Sequence, residues 1–209
     1  MNHLNEIWNE LTLRYSDNDE LNYELWSELV NNYSASGRHY HNLTHLEYMM
    51  AMVAIYKNNL TDPDTVLFSI FYHDIIYDPK RQDNEERSAH LAHERLSLLG
   101  VPTGIIAQCQ SQILASKVYK VNGDNDLNYF VDFDLAILGD TQEKYMEYKM
   151  KIRKEYSMYP DFLYKNGREK ILQNFLDMER IFKTEVFYNN CEQQARENIK
   201  TELEELQLV

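Results

Sequence analysis

His73 and Asp74 stand side by side within residues 66–77, a stretch apolar on almost every side (Val66-Leu67-Phe68-Ser69-Ile70-Phe71-Tyr72-His73-Asp74-Ile75-Ile76-Tyr77). A helix of that composition is buried. An ionised carboxylate within it costs several kcal/mol, about 3–5 when the charge is left unpaired. Something positive must therefore stand beside Asp74. A lysine or arginine salt bridge would serve, with His73 hydrogen-bonded in the core. The adjacent histidine favours a different cation. Successive side chains on a helix point about 100° apart. His73 and Asp74 thus straddle a point just off the helix surface, where a metal ion takes nitrogen from one and oxygen from the other.

Two further groups offer ligands. The first is Arg38-His39-Tyr40-His41-Asn42-Leu43-Thr44-His45. Thr44 and Glu47 have capping-box spacing, which predicts a helix starting at Thr44 and places His45 in its first turn. His41 and His39 then lie on the preceding loop, His41 supporting the site or facing substrate and His39 solvated. The second is Asp132-Phe133-Asp134, where two carboxylates interrupt an apolar stretch and one of them is expected to face inward.

In chain order the pattern is a histidine, then His-Asp, then Asp, and it resembles the HD-domain superfamily of metal-dependent phosphohydrolases. The likeness is strongest to a bacterial subgroup of predicted HD phosphohydrolases. Arg38-His39-Tyr40-His41-Asn42 followed by His45 is similar to its phrases, as is Tyr72-His73-Asp74 with Tyr77-Asp78-Pro79. So are Asp83-Asn84-Glu85-Glu86-Arg87-Ser88 and Asp132-Phe133-Asp134-Leu135 ending in Ile137-Leu138-Gly139. The similarity extends through Glu155-Tyr156 and Gly167-Arg168, and so covers most of the chain. It implies a single-domain, all-α helical bundle of the HD type over residues 1–209. The metal-site core would occupy about 35–140 and a helical extension 141–209. It also implies the ligand set His45, His73, Asp74 and Asp134, with Asp132 as the alternative to Asp134. One departure stands out: Val118 and Tyr119 follow Lys117 where members often carry histidine. That puts in question a second metal, or an acid–base step served by a histidine there. The four-ligand mononuclear site is unaffected.

Two imidazoles and two carboxylates suit Mn, Fe, Co, Ni or Zn as divalent ions, and Mg less well. In such a site a bound water becomes more acidic and a phosphoryl oxygen is polarised, which is the chemistry of phosphate-ester hydrolysis. Asp74 would both ligate and hydrogen-bond the attacking water. Glu85 would act as general base or, alternatively, only favour the N-terminus of its helix. Arg38, Arg87 and Lys117 are candidates for gripping phosphate, since Arg presents a fork matched to its oxygens; each would otherwise form a surface salt bridge. Tyr40, Tyr72 and Tyr77 are candidates for stacking on a base. The expected substrate is a nucleotide or other small phosphorylated metabolite. The rival expectation is a nucleotide-binding sensor that retains the metal site without turnover.

The elements that must position these residues are helical almost throughout. Apolar spacing predicts helices over 3–15 and 20–33, a loop over 31–42, and the His45 helix to about 57. Asp62-Pro63 gives a cap and an N1 proline for a helix over 65–77, stopped by Asp78-Pro79. Asp83 caps the next helix, which runs to about Leu99 with Gly100 just beyond it. Further helices are expected over 103–117, 126–138, 141–157, 161–177 and 189–207.

Composition supports this reading and narrows it. Six glycines and four prolines in 209 residues disfavour a turn-rich sheet fold. A hydrophobic content of 44% allows a sizeable core. The net charge of −13 makes duplex nucleic acid an unfavourable partner. A small phosphorylated ligand stays compatible, because a cation in the pocket reverses the local field. Cys109 and Cys191 belong to no thiolate-metal pattern, and no apolar run approaches a membrane span. With no signal-peptide pattern among the first residues, a cytoplasmic location is expected, and a homo-oligomer is compatible with the sequence.

Overall fold

The computed structural model of the protein describes residues 2–207, and among them every regular element is helical. The helices are α1 (Asn2–Thr12), α2 (Asp19–Tyr33), α3 (Leu43–Tyr56), α4 (Pro63–Tyr72), α5 (Asn84–Leu98), α6 (Thr103–Ala115), α7 (Asn125–Leu135), α8 (Gln142–Glu155), α9 (Asp161–Asp177) and α10 (Glu185–Gln207). Short 3-10 turns follow α3 and α7. None of the described helices is long and apolar enough to cross a membrane.

The chain forms two compact units, one ending at Phe130 and the other beginning at Val131. The division falls inside α7. In the first unit α4 is central and packs against α3, α5 and α6, while α1 pairs with α2. The apolar run explains this. Val66, Phe68, Ile70, Phe71 and Tyr72 are all fully buried, so α4 needs neighbours on every side. Trp8 of α1 meets Phe71 edge-on at 5.2 Å and Tyr72 at 6.2 Å.

Helix starts follow local chemistry, with two corrections. Asp62 caps α4 by accepting from the Thr65 amide, and Pro63 sits at its first turn, as the sequence predicts. The cap of α3 is Asn42 and not Thr44: Asn42 Oδ1 accepts from the Thr44 amide at 2.9 Å. Asn is among the strongest caps, and it starts the helix before the Thr-x-x-Glu box can act. His45 remains in the first turn. Asp83 precedes α5 without capping it, because its carboxylate holds Arg81 through two bonds of 2.6 Å. Gly100 ends α5 at φ +73, with the Val101 amide donating to Leu96 O at 3.0 Å, the left-handed C-terminal stop predicted for it.

The largest departure concerns α4, which ends at Tyr72 and not at Tyr77. His73 and Asp74 therefore stand in the turn that follows the helix, not inside it.

In the second unit α10 packs on α9 and on the 3-10 turn at Ala136–Gly139. Gly139 permits this approach, since a Cβ there would come within 2.7 Å of Cys191 O and 2.6 Å of its Cβ.

Candidate metal centre

Three side chains converge at the C-terminal end of α4. His45 Nε2 lies 3.2 Å from His73 Nε2, and His73 Nε2 lies 3.1 Å from Asp74 Oδ2. Ligand atoms of the three fall within 4.8 Å of one another. Two donors about 2.1 Å from one ion and at right angles stand about 3.0 Å apart. The observed spacings match that edge, so the donor set fits a small divalent ion. His45 and His73 are 3% and 1% exposed, and the Asp74 side chain is 17% exposed. The site is thus walled by protein but open on the carboxylate side.

Each ligand is oriented from behind. His73 Nδ1 lies 2.9 Å from the carbonyl of Ile70. A carbonyl only accepts, so Nδ1 carries a proton, and Nε2 is the nitrogen turned to the cluster. The Phe130 ring meets His73 edge-on at 5.9 Å. His45 is set by its place in the first turn of α3, with Tyr40 against its ring at 4.9 Å. The cluster also sits where the carbonyls at the end of α4 give negative potential, which favours a cation.

Burial by itself pushes the Asp74 carboxyl up. His73 first, then His41, and the hydrogen bond from His73 and charge of His45, more than offset this and hold it well below the ordinary carboxylate range. The groups facing a charge at position 74 are therefore imidazoles, which are positive when protonated and able to hold a metal when neutral. Arg38 is near, but it addresses main-chain oxygens: it donates to Asp74 O at 2.6 Å, Ile75 O at 2.8 Å and His41 O at 3.0 Å.

The other expected site residues take varied places. His41 stacks on Tyr77 at 4.2 Å and comes within 6.0 Å of the His45 ring, beside the cluster. Glu85 and Lys117 are joined to each other at 3.7 Å, and Lys117 also binds Glu86 at 2.6 Å. Arg87 is exposed on α5. Tyr72 is fully buried against Trp8, so its ring is closed to any ligand, contrary to its expected stacking role. In the second unit Asp132 is fully buried, and its carboxylate accepts from the Lys183 amide, the Thr184 amide and the Thr184 hydroxyl at 2.7–2.8 Å. Both of its oxygens hold the 183–184 segment. Asp134 lies two residues on and is partly exposed.

Several supporting residues carry no role in the sequence reading. Tyr33 hydroxyl receives the Asp74 amide at 3.2 Å. Ser88 Oγ receives the Ile76 amide at 3.1 Å and lies 3.3 Å from its carbonyl. Asn84 brackets Asp78 in the same way, at 3.1 and 3.0 Å. Asn84 and Ser88 are four apart on α5, so one helix face grips the chain just beyond the metal-bearing turn. Their presence in the Asp83–Ser88 phrase was the available signal. Comparison with family models, curated proteins and solved structures gives no match, so the functional reading rests on this geometry and on the sequence pattern.

Proposed function

We propose that this chain is a metal-dependent phosphohydrolase of the HD type that acts on a small phosphorylated substrate in the cytoplasm. The observation that carries the reading is the convergence of His45 Nε2, His73 Nε2 and Asp74 Oδ2 at 3.1–3.2 Å spacing. A divalent ion of the Mn-to-Zn series held there would supply Lewis acidity toward a phosphate ester and its attacking water. The residues do the positioning. His45 and His73 present neutral nitrogens from buried rings, and Asp74 brings a fixed negative charge. A carboxylate held so low is a weak proton acceptor, so Asp74 orients water more than it deprotonates it. His41, stacked on Tyr77 beside the cluster, is proposed to meet the substrate's oxygens.

A second reading, a metal-bearing sensor without turnover, is favoured by one observation. Lys117 and Arg38 of the expected phosphate-gripping set are engaged with protein partners. Protein purified without chelator should carry one divalent ion per chain and hydrolyse p-nitrophenyl phosphate, its bis-ester or a member of a nucleotide panel. His73→Ala should lose both the ion and the turnover. Metal with saturable nucleotide binding and no hydrolysis would establish the sensor; absence of metal would end both readings.

A further inference from the structure

We propose that Arg38 is a positioning residue for the metal-bearing turn, one that sets where the Asp74 carboxylate stands instead of holding phosphate. The inference rests on the metal-site reading above. Once α4 ends at Tyr72, the carbonyls of Asp74 and Ile75 need donors from elsewhere. Arg38 supplies them. Its Nη1 donates to Asp74 O at 2.6 Å and to His41 O at 3.0 Å, and its Nη2 donates to Ile75 O at 2.8 Å. One planar group therefore ties the loop leading into α3, which carries His45, to the turn that carries His73 and Asp74.

The fork is itself held. Its central carbon lies 5.0 Å from the Tyr33 ring centroid and 5.5 Å from that of Tyr77, both within cation–π range. Tyr33 contributes a second time, since its hydroxyl receives the Asp74 amide at 3.2 Å. Both main-chain groups of Asp74 are thus anchored by this assembly, and only side-chain torsions remain to aim the carboxylate. Bonds from a charged donor are the strong ones. Three of the guanidinium's five N–H groups are directed at carbonyls, so most of its donor capacity is spent on building the site. Lysine cannot reproduce this, because an ammonium lacks the planar fork.

The test titrates Co²⁺ into metal-free protein, following calorimetry and the visible absorption band, with thermal unfolding of each metal-free form. Arg38→Met should bind Co²⁺ about 10–100-fold more weakly, the range typical when a group that orients a ligand is lost, and with an altered band. Arg38→Lys should recover part of the affinity. A general loss of stability would not change the band well below the melting temperature, nor be rescued selectively by lysine. Tyr33→Phe removes only the hydroxyl on the Asp74 amide and keeps the ring beneath Arg38. It should show a smaller loss in the same direction, and it decides the matter if Arg38→Met does not fold. Wild-type affinity and band in folded Arg38→Met, or in Tyr33→Phe where that is the decisive variant, would overturn the positioning role. Co²⁺ uptake that is the same in His73→Ala as in the wild type would instead overturn the metal site, and this role with it.

Discussion

Asp74 keeps its charge where burial opposes it, because His73, His41 and His45 surround the carboxylate. That arrangement fixes how metal affinity should vary with pH. Asp74 is held well below the ordinary range, so it stays ionised from about pH 8 down to about pH 5, and its proton is not the one that competes. Imidazoles protonate near 6.5 when unperturbed, and each must be neutral to ligate. Affinity for Co²⁺ should therefore fall as pH drops through the imidazole range, with protons released on binding; affinity independent of pH between 8 and 5 would contradict histidine ligation. Asp74→Asn should weaken binding by more than the about 10–100-fold expected for a supporting residue, read by competition with a chelating dye. At this scale much was legible. His45, His73 and Asp74 declare themselves by residue type, because a charge in an apolar stretch requires an answer. The bonds of Arg38 were not legible: an arginine beside a proposed phosphate site suggests phosphate, and nothing in its spacing reveals three carbonyls, at Asp74, Ile75 and His41.

At the scale of elements, the informative difference is the early end of α4. Apolar periodicity continues to Tyr77 and Asp78-Pro79 supplies a stop, so the sequence carries the helix five residues beyond its observed end at Tyr72. Periodicity reports burial, and residues after Tyr72 remain buried or partly so while leaving the helix. What releases them is non-local: Arg38 takes two carbonyls, Tyr33 one amide, and Ser88 both main-chain groups of Ile76. Ser88 is fully buried, so no water is at hand to replace it. Ser88→Ala should thus cost about 1–3 kcal/mol, the penalty for leaving buried polar groups unsatisfied, measured by urea unfolding with an unchanged slope. A cost within about 0.5 kcal/mol, the usual range for a neutral surface change, would mean that the turn is held without Ser88. The cap of α3 makes a smaller version of the same point. Two acceptable caps, Asn42 and Thr44, stand two residues apart, and only the path of the incoming loop chooses between them.

For the whole molecule, scarce glycine and proline and a helical period foretold an all-α chain, whereas the division after Phe130 left no mark. It falls within α7, a continuous helix with no glycine or proline to signal it. The second unit also hides a feature that spacing cannot disclose, since Arg168 and Glu202 lie 34 residues apart and meet in its interior. Arg168 donates to both carboxylate oxygens of Glu202 at 2.9 and 3.0 Å, with side chains 5% and 4% exposed, and the Tyr145 hydroxyl completes the set at 2.5 Å. Burial by itself raises the Glu202 carboxyl, but hydrogen bonding and charge from Arg168, then Tyr145 and Lys149, hold it below its ordinary value of 4.5. A depressed folded-state value means that the unfolded chain binds the proton more tightly. This contribution to stability is therefore present above about pH 4.5 and is lost as pH falls through the lower, folded-state value. Glu202→Gln should flatten that acid limb and cost about 3–5 kcal/mol at pH 7, because Arg168 keeps its charge and is left buried without an anion. Replacing both partners, Arg168→Met with Glu202→Leu, should recover most of the loss, since apolar residues of similar size substitute for a buried pair at little cost. Urea midpoints at pH 7 and through the acid range decide this. A double variant no more stable than Glu202→Gln would show that the shape of the pair, and not the stranded charge, accounts for the loss.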